Sequence, residues 1–336
     1  ALLAIGLAFT SGMSSLCATA QDRVIYQAGS DRQTASGLVV EFTGKDGVLL
    51  RAGGQERTIP AAQVIRIETA RIASHEKALM ALAEGKFESA LALFVQARTE
   101  ERRVWLRREL TADIVQCLRT LGDYKSAASQ FQILTISDPK TPHFGSIPLH
   151  WMGSVSESTM SSASTGWRLD DEASESMQLI TASALLTSTT NLRPQAIIVL
   201  EDLSTSDDPR IAFLARAQLW QIQYVRAAPA LVRRWEEQVE YAPESLRPGP
   251  YFMLARALKQ VDESEDAVLA WMRIPIFYPD HRDLSVAALY HAAEALDKLG
   301  RTEESAELYR EIQQDYGESP LRQNVEMKES VTWEIE

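Results

Sequence analysis

The chain reads as a mainly α-helical protein, about six helical hairpins stacked as a solenoid, preceded by a small five-stranded β-barrel. Three observations predict this. Gly85-Lys86-Phe87, with Ala90, Phe94 and Ala97 beyond it, recurs as Gly122-Asp123-Tyr124 before Ala127, Phe131 and Leu134, closed by Asp138-Pro139. The same turn, small residue and aromatic return near the C-terminus as Gly300, Ser305 and Tyr309. Residues 22–69 instead alternate short β-rich runs with glycine turns. A helical hairpin cannot bury its apolar face alone, so hairpins repeated at fixed offsets stack on one another.

Residues 1–20 carry no charge, run from Ala1-Leu2-Leu3-Ala4-Ile5 through Phe9, and end Ala18-Thr19-Ala20. An apolar core followed by A-x-A is the pattern of a secretory signal peptide, here cut before Gln21. No Met and no basic stretch open it, so residues upstream of Ala1 are expected. Thr10, Ser11, Gly12, Ser14 and Ser15 interrupt the run, which is shorter than the roughly 20 apolar residues of a span, so no stable membrane span is expected after cleavage. Cys17 follows Leu16, whereas lipidation needs a small residue there. Its removal leaves Cys117 alone, at an apolar helical position that suits a core thiol.

Residues 21–69 form the expected barrel. Val24-Ile25-Tyr26, a run from Gly37 to Phe42, a run from Gly47 to Leu50, Thr58-Ile59 and a run from Val64 to Ile67 read as strands. Gly44, Asp46-Gly47 and Gly53-Gly54 read as tight turns between them.

Hairpins are expected near 71–107, 108–142, 177–210, 212–246, 248–282 and 286–320. The fifth runs through Asp262, Ala267, Trp271, Ile274 and Pro279, with Asp replacing the turn glycine. The third runs through Asn191, Ala196, Leu200 and Leu203, and the fourth through Arg226, Leu231, Trp235, Gln238 and Pro243. Glycine tolerates the left-handed backbone that ends a first helix. Pro194 and Pro229 fall in the first turn of a second helix, where a missing N–H costs nothing. The hairpins thus occupy 70–142 and 177–320, with a tail over 321–336. Between them, 143–176 holds Pro148 and a Ser/Thr/Gly run over 153–166, read as a partly disordered loop insertion. Phe144 to Trp151 is a candidate ordered patch within it.

The hairpin pattern resembles the tetratricopeptide repeat, a helix-turn-helix unit of about 34 residues. The strand order, with Gly37 opening a long bent strand and Ile59-Pro60 before the last one, resembles SH3-like or Sm-like barrels. The ending Tyr316-Gly317-Glu318-Ser319-Pro320 resembles repeats of bacterial envelope proteins. In tetratricopeptide arrays the first helix of each hairpin lines a concave groove. The resemblance therefore implies a partner-binding face made of Gln116, Arg119, Arg216, Trp220, Gln223, Tyr224, Phe252, Arg256, Lys259 and Tyr290, with Glu294 and Asp297 beyond. Aromatics and arginines are the residue types that dominate interface energetics, although Trp220 and Tyr224 could equally pack against the next hairpin. The Lys and Asn set with which some family members clamp a C-terminal carboxylate is absent.

The net charge of −12 argues against a general nucleic-acid binder. Arg102, Arg103, Arg107 and Arg108 are interleaved with Glu100, Glu101 and Glu109 and read as a solvated helix end with local ion pairs. No G-x-S-x-G, H-E-x-x-H, Walker or dinucleotide motif occurs. Ser74-His75-Glu76-Lys77 reads as a helix N-cap, and His281 between Asp280 and Asp283 as turn and cap residues. No catalytic residue, metal or cofactor is assigned. The expected protein is an exported, non-enzymatic scaffold of the periplasm or cell envelope, binding proteins or peptides. The alternative is an envelope enzyme or enzyme subunit with a site in 140–175, drawing on His143, His150, Asp170, Asp171 and Glu172.

Overall fold

The computed structural model describes residues 21–151, 168–186, 191–317, 319, 321 and 325. The expected signal peptide, the 153–166 run and most of the C-terminal tail lie outside the described residues. The chain divides into two compact units, one of strands and one of helices.

The first unit is a five-stranded antiparallel sheet of order β4-β3-β2-β1-β5. Its strands are β1 Asp22–Ala28, β2 Asp31–Thr43, β3 Gly47–Ala52, β4 Gln55–Ile59 and β5 Val64–Glu68. All five expected strands are present, but the sheet is open, which corrects the closed barrel. Closure would require β4 to pair with β5, and these are the two edges. Gly37 in β2 lets β3 approach closely, since an added Cβ would lie 2.6 Å from the Arg51 carbonyl oxygen. The core of the sheet is Val24, Tyr26, Val39, Val48, Leu50 and Ile59, all buried. Arg57 of β4 reaches back to the Tyr26 hydroxyl of β1 at 2.7 Å. Gly53 and Gly54 both have positive φ, as the two-residue type I′ turn between β3 and β4 demands.

The second unit is helical, with twelve α-helices among the described residues. They form six consecutive pairs: α1 Ala73–Ala83 with α2 Phe87–Glu100, α3 Val104–Thr120 with α4 Tyr124–Ser137, and α5 Glu175–Leu186 with α6 Arg193–Leu203. Then come α7 Pro209–Gln223 with α8 Pro229–Tyr241, α9 Pro248–Gln260 with α10 Ser264–Phe277, and α11 Arg282–Lys298 with α12 Thr302–Asp315. The first helices pack in a row, α5 on α7, α7 on α9 and α9 on α11, and α11 also touches α3.

Four of the six turns are one device. Gly85, Gly122 and Gly300 have φ of 71, 78 and 77°, and Asp262, at φ 64°, is the one described non-glycine residue with positive φ. In each the next residue's N–H returns to the helix before it: Lys86 to Ala81, Asp123 to Leu118, Glu263 to Leu258 and Arg301 to Leu296, at 2.9–3.0 Å. This is the Schellman closure of a helix end. Behind each turn the second helix buries Ala90 and Phe94, Ala127 and Phe131, Ala267 and Trp271, or Ser305 and Tyr309.

The fourth pair departs from this pattern. Its buried positions are Val232, Trp235 and Val239, not the expected Leu231 and Gln238. With no small residue at the crossing, the helices stay farther apart, and stacked Trp220 and Trp235 rings, 4.8 Å apart, fill the gap. The Ser74 cap is also corrected. The N-cap of α1 is Ile72, and Ser74 donates instead to Glu100 Oε2 at 2.6 Å.

Candidate functional site

Inside the helical unit the row of first helices is in contact with a short 3-10 turn, Phe144–Ser146, and the irregular chain that follows it to Trp151. Phe144, Ile147, Leu149, His150 and Trp151 are buried. Phe144 meets the Phe131 ring edge-on at 5.5 Å and lies under the Arg210 guanidinium at 4.0 Å. The His150 N–H donates to Ser183 Oγ at 2.8 Å, and Gln221 Nε2 donates to the His150 carbonyl at 2.9 Å. The Trp151 ring presses on Gly249 in the first turn of α9, where a Cβ would stand 1.9 Å from it. Only glycine leaves that space.

Beside this segment lies a buried polar cluster. Arg119 Nη2 donates to both Asp283 oxygens at 3.1 Å, and the Tyr124 hydroxyl donates to Asp283 Oδ2 at 3.0 Å. Arg119 Nη2 also lies 3.2 Å from His281 Nδ1, and the Tyr124 ring stacks on His150 at 4.1 Å. Burial alone would raise the Asp283 carboxyl, but the Arg119 guanidinium holds it below the usual carboxylate range. Burial pushes His150 down to about 4. It pushes His281 down to about 3, helped by the charge of Arg119. Both rings are neutral at neutral pH, so the cluster is one ion pair packed among neutral groups. A cleft of about 260 Å³, counting its open mouth, borders Arg119 and His281 and is walled by Ile147, Leu149, Trp151 and Leu214.

The residues expected to line a groove separate into three sets. Gln116 and Arg119 are engaged within the chain: Gln116 Nε2 donates to the Asp280 carbonyl at 2.8 Å, and Arg119 pairs with Asp283. Trp220 and Phe252 are 2 % and 1 % exposed, so they pack as core and offer no surface. The rest reach the surface. Arg256 lies 4.4 Å over the Tyr224 ring and donates to its hydroxyl at 2.6 Å. Lys259, one turn on, stands 5.6 Å over Trp271. Tyr290 meets His291, which in turn meets Phe252. Gln223 is exposed at the end of α7. Arg216 is exposed but turns to the Ser204 carbonyl at 2.7 Å, away from that set. Of the alternative enzyme set, His150 is buried and His143 half-buried, whereas Asp170, Asp171 and Glu172 are exposed ahead of α5.

A third grouping was missed by the sequence reading. His75 of α1 and Glu109 and Asp113 of α3 bring their ligand-capable atoms within 4.8 Å of one another, with His75 buried and the carboxylates half-buried. The signal present in the sequence was the spacing of Glu109 and Asp113, four apart and therefore on one helix face. Nothing local marked His75 as their neighbour.

Compared with known proteins, the chain matches no family model and no curated protein.

Proposed function

We propose that the chain is a non-enzymatic scaffold that binds protein or peptide partners through a tetratricopeptide-type array, exported to the periplasm or cell envelope. The observation that carries this reading is the surface set Tyr224, Arg256, Lys259 and Tyr290. These residues stand on or just after the successive first helices α7, α9 and α11, which pack side by side. The Tyr224 ring with Arg256 over it, together with Lys259 and Tyr290 on the neighbouring first helices, forms a surface suited to an extended partner carrying carboxylates. The packing of the same helical unit around the non-helical residues 147–151 supports its capacity to hold irregular chain.

The experiment is capture of a partner from envelope extract by residues 21–336, followed by titration of the purified partner against two variants. Tyr224→Ala is expected to weaken binding by more than about 1 kcal/mol. Arg256→Ala is expected to act mainly through a salt-sensitive association rate. Unchanged affinity and rate in both folded variants would remove this face from the function.

A further inference from the structure

We propose that His75, Glu109 and Asp113 bind one divalent transition-metal ion of the zinc class, joining the first helical pair to the second. Glu109 and Asp113 stand one turn apart on α3, so both carboxylates leave the same face, and α1 supplies the imidazole from its own first turn. The three ligand-capable atoms already lie within 4.8 Å of one another. Around zinc, ligand atoms at about 2.0–2.2 Å in a tetrahedron are roughly 3.4 Å apart, so closing on an ion takes side-chain shifts of only about 1 Å.

The identity of the ligands narrows the ion. An imidazole nitrogen is a poor ligand for magnesium or calcium, and three ligands fall short of the six to eight that calcium takes. One nitrogen and two oxygens suit zinc or cobalt(II), with a fourth position left for water or an outside ligand. His75 is enclosed, with the Phe94 ring edge-on at 6.1 Å. Glu109 and Asp113 are half-buried and keep partial access to solvent.

The test uses the untagged chain after treatment with a chelator. Zinc titrated by calorimetry is expected to bind one ion per chain, and cobalt(II) is expected to give the intense visible bands of a four- or five-coordinate site. Glu109→Gln and Asp113→Asn, which keep shape and lose charge, should each weaken zinc binding at least tenfold while leaving the far-ultraviolet circular dichroism unchanged. His75→Ala should do the same, and the two carboxamide variants keep the test valid if it fails to fold. Absence of one-to-one binding, weak six-coordinate cobalt bands, or affinity unchanged in the carboxamide variants would overturn the site. The last result would place any bound metal on the other histidines.

Discussion

Asp262 shows what a single residue contributes to an otherwise uniform turn. Its φ of 64° is the left-handed backbone that glycine adopts without strain at 85, 122 and 300, and an L side chain there meets its own carbonyl. Asp262→Gly is therefore expected to raise stability by about 0.5–1 kcal/mol, read as a higher denaturant midpoint at unchanged slope. The sequence showed this turn because the offsets to Ala267 and Trp271 matched those of the glycine turns. It did not show the Arg119–Asp283 pair. The two residues are far apart in sequence, and each has an ordinary local explanation, Arg119 as a groove residue and Asp283 as a cap. A pairing made only by tertiary packing leaves no local trace.

At the scale of elements, what was legible followed from short-range physics. The αL turn, the small residue at the crossing and the aromatic behind it are fixed within about fifteen residues, and the four pairs that carry all three show the same closed turn and buried second helix. The fourth pair was mis-registered because Trp235 satisfies either phase, and only its stacking on Trp220 selects Val232 and Val239 as its inner neighbours. The barrel failed for a related reason. Strand runs and glycine turns specify neighbours along the chain, but closure depends on the two edges meeting. The crossings also allow a direct test. Ala127 and Ala267 are fully buried between paired helices. Ala127→Leu and Ala267→Leu should each overpack their pair and cost roughly 1–3 kcal/mol in thermal or denaturant melts. Trp235→Ala should cost about 3–5 kcal/mol, since it empties the gap that the absent small residue leaves.

For the molecule as a whole, the enclosed histidines make stability depend on acid. In the unfolded chain an imidazole titrates near 6.5. In the folded protein His150 stays neutral down to about 4 and His281 down to about 3. Between those limits the unfolded state binds more protons, so stability is lost as pH falls through 6.5 and the loss continues to about pH 3. Each ring contributes at most about 1.4 kcal/mol per pH unit within its window. Glu101, held down to about 2 by hydrogen bonding to Arg103, adds to the loss once pH falls below the ordinary carboxylate range. Melting temperatures measured from pH 7.5 to 4 should fall steadily, and His150→Gln together with His281→Gln should flatten the slope above pH 5. A parent chain equally stable at pH 7 and pH 5 would contradict the enclosure of both rings.

The contact of α11 with α3 ties the second helical pair to the sixth. Repeat arrays that touch only their nearest neighbours add stability unit by unit and fray from either end. Here Arg119 waits for Asp283, and Phe87 of the first pair lies 5.1 Å beneath the Arg282 guanidinium of the sixth. Until α11 emerges, the earlier pairs hold a guanidinium without its carboxylate, and closing so long a loop carries its own entropic cost. A chain truncated before residue 282 is therefore expected to unfold less cooperatively than the full chain, because the last two helices tie the first pairs to the sixth.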